Sequence, residues 1–404
     1  MRFAHLADTH LGYRQYNLDE REEDFYSAFS EAVDKIIAEK CDFVIHSGDL
    51  FDEARPHIRA MLEVRKALDK LDEAGIRVFA VTGNHDRIIR KGAFPPHSLY
   101  KRMELFTLEK PYLEFGDILL CGLPYIPKSY GNVLKDKLEE LAQKAKDYEK
   151  KILVLHQGID KYIGFETAYE LKIGDVPRGF DYYAMGHVHL RRIDELDGGK
   201  LVYPGSTEIW RVDELKDYEK NGKGFYIVDT DNFDIERIDL ECIRPFISEE
   251  VGEEDIGRIR EAIKGDKKPI LRLNVTASAT DYPLVYQNLL DEFQELVLQM
   301  DIKRKPEEEE EVISGKAVSI REMLEEALVD CTEGEVGYAQ ELLEALSNRD
   351  IEEARDLTEK FYKGWIFREM EAGEGENVEP IEEKEMVDSE SRLTAGQRKL
   401  GAFR

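Results

Sequence analysis

Five apolar runs in the first half of the chain each stop on an aspartate, asparagine or histidine, and this repeated ending constrains the fold more than any other feature. "RFAHLA" runs into Asp8-Thr9-His10, "DFVIHS" into Gly48-Asp49, "IRVFAV" into Gly83-Asn84-His85-Asp86, "KILVL" into His156, and "YYAM" into Gly186-His187-Val188-His189. Short apolar runs bounded by turn chemistry read as buried strands, here 2–7, 42–47, 76–81, 151–156 and 182–187, with others at 117–123, 200–205 and 224–229. Between the first two, Phe25, Ala28, Phe29, Ala32, Val33, Ile36 and Ile37 recur at helical spacing, and a second amphipathic helix over 57–74 stops at Gly75 as a C-cap would. Strands alternating with helices predict an α/β layered domain. In such sheets the C-terminal strand edge gathers ligand-bearing loops, so Asp8, His10, Asp49, Asn84, His156, His187 and His189 are expected in one cleft.

Seven oxygen and imidazole donors exceed the needs of one ion and suit two, with one carboxylate bridging. Mixed carboxylate, amide and imidazole ligation without thiolate points to manganese, iron or zinc rather than magnesium alone. Two such ions side by side serve phosphoester hydrolysis. A single strand-end histidine carries no such meaning, and His5, His46, His57 and His97 are read as core or surface residues.

A chain of 404 residues exceeds one ordinary core and predicts two or three domains. After residue 242 the pattern changes to a short α+β unit, with helix 253–264, strand 270–277, helix 283–293 and strand 295–302. "KRKPEEEEE" (303–311) reads as an exposed acidic linker. Beyond it, Ile320, Met323, Leu324, Ala327 and Leu328 form one apolar helical face. Tyr338, Ala339, Leu342, Leu343 and Leu346 form another, and Ile351, Ala354, Leu357, Phe361 and Trp365 continue the period. These helices are too few to bury one another and ask for a partner. Residues 371–390 are acidic and weakly hydrophobic and read as disordered; the basic end 392–404 reads as a frayed terminus, with a docking or DNA-contacting tail as the alternative.

Net charge is −29, which opposes nucleic-acid binding until its distribution is considered. Residues 305–404 hold 28 Asp and Glu against 13 Lys and Arg, leaving 58 against 44 before them, so half of the excess lies in the last quarter. Arg14, Arg55, Arg87, Arg90, Lys91 and Arg178 stand in loops near the strand ends and could meet phosphates there, although loop arginines are usually just solvated. The four cysteines, Cys41, Cys121, Cys242 and Cys331, form no CxxC pair and read as buried thiols of a reducing compartment. With no apolar run of membrane-spanning length, the expected location is cytoplasmic, at the nucleoid, with no membrane partner.

D-x-H, G-D, G-N-H-D, a lone His and G-H-x-H, in this order over about 230 residues, resemble the calcineurin-like metallophosphoesterases. "DTHLGY", "GDLFDEARP", "TGNHDR", "LHQG", "IGDVPRGFDYYAMGHVH", "YPGSTEIW" and "GKGFYIVD" are similar to the Mre11/SbcD family of DNA double-strand-break repair nucleases, archaeal type. The resemblance implies a two-layered β-sheet sandwich flanked by helices (1–242), a small α+β DNA-capping domain (243–303), an acidic linker (304–317), a helical segment that binds a Rad50-type SMC/ABC coiled-coil ATPase (318–368) and a disordered tail (369–404). It implies two manganese ions per subunit, one on Asp8, His10, Asp49 and His189, the other on Asp49, Asn84, His156 and His187. His85 would position the phosphate and act as general acid. It also implies 3′ to 5′ exonuclease activity on duplex ends, endonuclease activity on single strands, and a homodimer formed through the helix bearing Met61. Many members carry a second histidine after "GDLF", where this chain has Asp52, so a role resting on that histidine has no counterpart here. The alternative is a phosphodiesterase of the same superfamily acting on small nucleotides, for which the second domain and helical tail have no use. A protein-binding scaffold would have no need of seven donors.

Overall fold

The computed structural model describes residues 1–88, 94–163, 169–251, 256–265, 267–278 and 281–305, and near the C-terminus 336–340, 342–343, 357–358 and 361. The chain divides into two units, Met1–Ser314 and Gly315–Arg404.

Apolar residues alternating along each strand have two faces to bury, and two stacked sheets bury both. The first sheet comprises β1 (Arg2–Leu6), β2 (Phe43–Ser47), β3 (Arg77–Val81), β4 (Met103–Leu105), β11 (Gly224–Asp229) and β12 (Ile235–Asp239), in the order β12-β11-β1-β2-β3-β4. The second comprises β5 (Tyr112–Phe115), β6 (Ile118–Leu123), β7 (Lys150–His156), β8 (Tyr182–Gly186), β9 (Arg192–Leu196) and β10 (Gly199–Tyr203), in the order β5-β6-β7-β8-β10-β9. Phe3, Phe43, Ile45 and Phe79 meet Ile152, Val154, Tyr182 and Val202 between the layers. Residues one step along, such as Ala4, Val44 and Val78, face α1 (Asp19–Ala38) and α2 (Ile58–Glu73). On the far side Leu153, Leu155 and Tyr183 pack with Leu134, Leu138 and Leu141 of α3 (Gly131–Ala145). This is the predicted α/β sandwich flanked by helices. A seven-residue helix, α4 (Leu215–Asn221), precedes β11.

The β1, β2 and β3 strands run parallel, as do β7 and β8. Their C-terminal ends deliver the five motifs.

A third, all-parallel sheet follows: β13 (Phe246–Val251), β14 (Ile270–Thr276) and β15 (Gln299–Lys305), with α5 (Ile256–Ala262) and α6 (Tyr282–Phe293). Its first strand was not foreseen, and its last starts at Gln299 instead of 295. Leu296 and Leu298 instead hydrogen-bond to Phe293 and Pro269 carbonyls, turning an apolar run that reads as strand. The predicted helix 253–264 is described over Ile256–Ala262. A buried ion pair joins this sheet's entry to α1: Arg244 donates Nη2 to Asp24 at 3.0 Å and Nε at 2.5 Å, and also reaches the Lys268 carbonyl.

Of the C-terminal unit, 336–340 and 342–343 are helical, and Tyr338 stacks on Phe361 with ring centres 4.1 Å apart. The linker from 306 on, the apolar face at 320–328, Trp365, the tail 369–404, and Arg90 and Lys91 lie outside the described residues.

Candidate metal centre

The loops after β1, β2 and β3 are interlocked before any side chain acts. Amides of Asp8, Thr9 and His10 donate to carbonyls of Gly48 and Asp49 at 3.0–3.1 Å. The Asp86 carboxylate accepts from Leu50, Phe51 and Gly83 amides, at 3.2, 3.0 and 2.9 Å, tying the second loop to the third. So fastened, the backbone holds Asp8, His10, Asp49 and His187 at φ of 54, 43, 53 and 89°. Such left-handed conformations cost a non-glycine residue energy and persist only where the surroundings over-determine them.

All seven predicted donors come together. His10 Nε2 lies 3.1 Å from His189 Nε2, and His189 Nε2 lies 3.8 Å from Asp8 Oδ1. Asn84 Oδ1 stands 3.0 Å from His156 Nε2 and 2.9 Å from His187 Nδ1. Asp49 Oδ2 lies between the groups, 3.2 Å from His156 Nε2 and 3.9 Å from His10 Nε2.

This donor set fits cations. His156 donates Nδ1–H to the Ser47 carbonyl at 2.8 Å, so its Nε2 turns a lone pair toward the Asp49 carboxylate. His189 likewise donates Nδ1–H to Glu214 Oε1 at 2.9 Å and turns Nε2 toward His10. Acceptor facing acceptor is repulsive unless positive charge stands between them. Ligands about 2.1 Å from one ion sit roughly 3 Å from each other, the spacing seen here. The titration behaviour shows the same demand. Burial would lower His156, yet the Asp49 carboxylate beside it lifts it to about 9, a proton on Nε2 being another way to set positive charge between the two. Burial would raise Asp49, but the charges of His156, His85 and His10 hold it well below the carboxylate range. Buried His187, with His156 beside it, falls to about 3.

His85 stands beside the donors without joining them. Its amide donates to Asp49 Oδ1 at 2.9 Å and its ring Nδ1–H to the Asp52 carbonyl at 2.8 Å. Burial depresses its pKa, with Asp49 opposing.

The stretch from Tyr203 to Glu214 shows no catalytic group in sequence, and the fold turns it into the outer wall of the centre. The Trp210 indole stacks on His10 (centroids 5.1 Å, 22° between planes) and meets His189 and His85 edge-on at 5.0 and 5.6 Å. Its Nε1–H donates to Asp52 Oδ1 at 3.2 Å, and that oxygen lies 3.4 Å from His10 Nδ1. His10, Asp52 and His85 are close enough for an ion of their own, but His10 would have to bind through both ring nitrogens. Asp52 instead stands behind the ring as a charged neighbour, without a hydrogen bond to it. Glu214 is buried and ionised: burial would raise it, but Lys223 and His189 hold it well below its ordinary value. Gly205, at φ 75°, closes the wall, since a Cβ there would come within 2.8 Å of the His189 carbonyl. Glu214 does have a local signal, the third position of a capping arrangement begun by Arg211, whereas its reach to His189 is purely tertiary.

The four histidines read as structural stay outside the centre. His5 is buried between Tyr182 Oη at 2.9 Å and Ser47 Oγ at 2.8 Å, His46 meets Thr9 Oγ1 at 3.1 Å, and His57 meets Glu22 at 3.1 Å. His97 lies edge-on to Phe51 and 3.6 Å from Asp86. Of the loop arginines, Arg14 is paired with Asp19 and Glu22, Arg55 and Arg178 are exposed, and Arg87 is half-buried.

The calcineurin-like phosphoesterase family model matches residues 1–191. The DNA double-strand break repair protein Mre11 of Methanocaldococcus jannaschii is 44% identical over 270 residues, 65% of this chain and 72% of that one. That of Methanococcus maripaludis is 35% identical over 385 residues, 90% of this chain and 100% of the relative. The chain belongs to the Mre11 family. A third member, from Sulfurisphaera tokodaii, is 38% identical over 281 residues, 67% of this chain and 72% of that one. Family and domain together make the chain an enzyme, a metal-dependent phosphodiesterase of nuclease type. No helix among the described residues is long and apolar enough to cross a membrane.

Proposed function

We propose that the chain is a manganese-dependent DNA nuclease of double-strand-break repair, resecting duplex ends 3′ to 5′ and cutting single strands. The observation that carries the reading is the convergence of seven donors in two groups joined by Asp49. Asp8, His10 and His189 would share one ion with Asp49, and Asn84, His156 and His187 the other. Thiolate-free mixed ligation suits manganese. Two such ions, when bound, supply Lewis acidity for a phosphodiester and a water acidic enough to attack it. The residues around them do the rest. Asp49 holds the His85 backbone, the Asp52 carbonyl fixes the His85 tautomer at Nδ1, and Nε2 is left for the substrate. A phosphate there brings the negative charge that favours the protonated ring, from which His85 passes a proton to the departing sugar oxygen.

DNA as substrate follows from what the relatives are named for. The third sheet, pinned to α1 through Arg244 and Asp24, would cap the duplex. Dimerisation would use α2, where Ile58 and Leu62 are exposed, with Phe94 and Leu99 on the segment whose Tyr100 hydroxyl donates to the Met61 carbonyl. Four exposed apolar side chains on adjoining segments make a patch suited to a second copy. The apolar faces from residue 318 onward would grip the Rad50-type SMC/ABC ATPase.

The test is a manganese nuclease assay on linear duplex, hairpin and single-stranded circular DNA with parent and His85→Ser protein. The variant should bind manganese normally and fail to cut; equal cutting would remove His85 from the mechanism. Deletion from residue 312 onward should abolish co-purification of the ATPase while sparing the manganese nuclease. Retention of the ATPase by the shortened chain would refute the assignment of the helical segment.

A further inference from the structure

We infer that Arg211 and Arg87 bind the phosphates on either side of the one that is cut, so that the centre recognises three consecutive phosphates of one strand and not an isolated diester. This rests on the nuclease reading above and names what that site reads. The first observation is one of pairing. The chain has 86 Asp and Glu against 57 Lys and Arg, and most of its exposed arginines have found a carboxylate: Arg14 has Asp19, Arg59 has Glu23, Arg102 has Asp69, Arg192 has Asp217 and Arg258 has Glu249. Arg211 is exposed and Arg87 half-buried, and among the described residues neither is paired with a carboxylate. In so acidic a chain, an unpaired guanidinium is a ready partner for an anion from outside. Arg55 and Arg178 are exposed and likewise unpaired, so pairing alone does not choose, and position does.

Arg211 lies against the group formed by Asp8, His10 and His189. Its guanidinium carbon stands 4.4 Å from the centre of the Trp210 ring, and that indole stacks on His10 and meets His189 edge-on. The backbone beneath is fixed, since the Arg211 amide donates to Glu214 Oε1 at 3.0 Å. Stacking holds the guanidinium plane of an exposed residue and leaves its N–H fork for a phosphate. Arg87 lies at the other end. It follows Asn84 by three residues, next to the Asp86 that ties this loop to Leu50 and Phe51, and its charge reaches the Tyr125 phenol. The Tyr125 ring in turn stacks on His187 at 6.0 Å and meets His156 edge-on at 6.2 Å. Each group of donors thus has an aromatic ring against its imidazoles and an unpaired arginine near that ring. A diester held at Asp49, between the two groups, has one neighbouring phosphate of its strand toward each end. A cyclic nucleotide has no such neighbours and would leave both arginines without a partner.

The experiment compares two substrates on the full-length protein with manganese: a labelled single-stranded oligodeoxynucleotide, and bis(p-nitrophenyl) phosphate, a diester with no neighbouring phosphate. The quantity read is the ratio of kcat/KM on the strand to kcat/KM on the small diester. Arg211→Ala and Arg87→Ala should each lower that ratio by about tenfold or more, mainly through KM on the strand. The slope of log KM for the strand against log salt concentration should fall by about 0.7 for each arginine removed. Arg211→Lys keeps the charge but not the plane over the indole, so it should keep the salt slope and recover part of the ratio. An equal loss on both substrates would mean that the arginines merely support the centre, and it would overturn the inference. So would a ratio or a salt slope that stays at the parent value in either alanine variant. A parent that hydrolyses the small diester and cuts no DNA would instead bring down the nuclease reading, and the inference with it.

Discussion

Replacing Gly83 by alanine should disable the centre through one atom. A Cβ at Gly83 would fall 2.0 Å from Asp49 Oδ1, 2.6 Å from its Cγ and 2.4 Å from its amide nitrogen. Ordinary contact begins near 3.4 Å, so the carboxylate must retreat by about 1.4 Å or the loop must lift. Asp49 is the group between the two donor clusters, and its Oδ1 also accepts the His85 amide at 2.9 Å. A displacement of 1 Å in a positioned catalytic group costs on the order of 100-fold, and overpacking of this kind costs about 1–3 kcal/mol. Phosphodiesterase turnover of bis(p-nitrophenyl) phosphate with manganese should therefore fall by about 100-fold or more, with a lowered melting temperature and weakened uptake of manganese. Gly174→Ala is the control, since a Cβ there meets nothing within 4 Å, and it should leave all three unchanged. If Gly83→Ala kept activity within a few-fold of the parent and bound both ions normally, the packing of Gly83 on Asp49 could not be what sets the bridging carboxylate.

Arg244→Met strips the buried Asp24 carboxylate of its bidentate partner, so urea unfolding should show a loss of about 3–5 kcal/mol. The double variant Asp24→Leu with Arg244→Met should recover part of that; a single-variant loss below about 1 kcal/mol would mean Arg21 and Lys267 suffice for Asp24. Acidification is expected to destabilise the protein through His5, whose pKa full burial lowers to about 3. The unfolded chain takes up this proton below pH 6.5 and the folded chain does not, so the stability is complete above 6.5 and drains away as pH falls toward 3. At pH 4.5 that amounts to about 2–3 kcal/mol. His5→Gln, with a donor and an acceptor for Tyr182 and Ser47, should show a shallower loss between pH 7 and 4.5, and an identical slope would refute the attribution to His5.

The central strands and the residues that end them were legible because both signals are local. Short apolar runs bounded by turn chemistry identify β1, β2, β3, β7 and β8, and the donor follows its strand within a few residues. Five strands escaped the reading, β13 of the third sheet and four others that share a reason. β4, β5, β9 and β12 are the outer strands of the two large sheets, and sequences such as "RIDEL" and "IERID" carry the charges that protect an edge and erase the apolar signal. α3 carries an open pattern in Leu134, Leu138, Leu141 and Ala145, but nothing in it bears on the strand ends. Trp210 and Glu214 were illegible in a stronger sense. Their value lies in which rings they touch, and those rings stand on strands of different sheets, so no window of sequence contains both partners.

The same distinction explains how the wall itself is held. Arg21, fully buried, donates Nε to Gln15 Oε1 at 2.8 Å, Nη1 to Asp24 at 2.6 Å and Nη2 to the Ile209 carbonyl at 3.0 Å, while Gln15 donates to the Trp210 carbonyl at 2.8 Å. Asp24 in turn holds Arg244 at the entry to the third sheet. An unbroken run of buried hydrogen bonds therefore leads from that sheet, through α1, to the backbone of the indole that stacks on His10. A buried arginine is costly unless its donors are satisfied, and here Gln15 just before α1, Asp24 within it and the Ile209 carbonyl, 188 residues on, satisfy it together. None of the three can move alone without leaving a buried charge exposed to an apolar interior, which is the physical reason that a stretch without a catalytic group can hold two imidazoles in place.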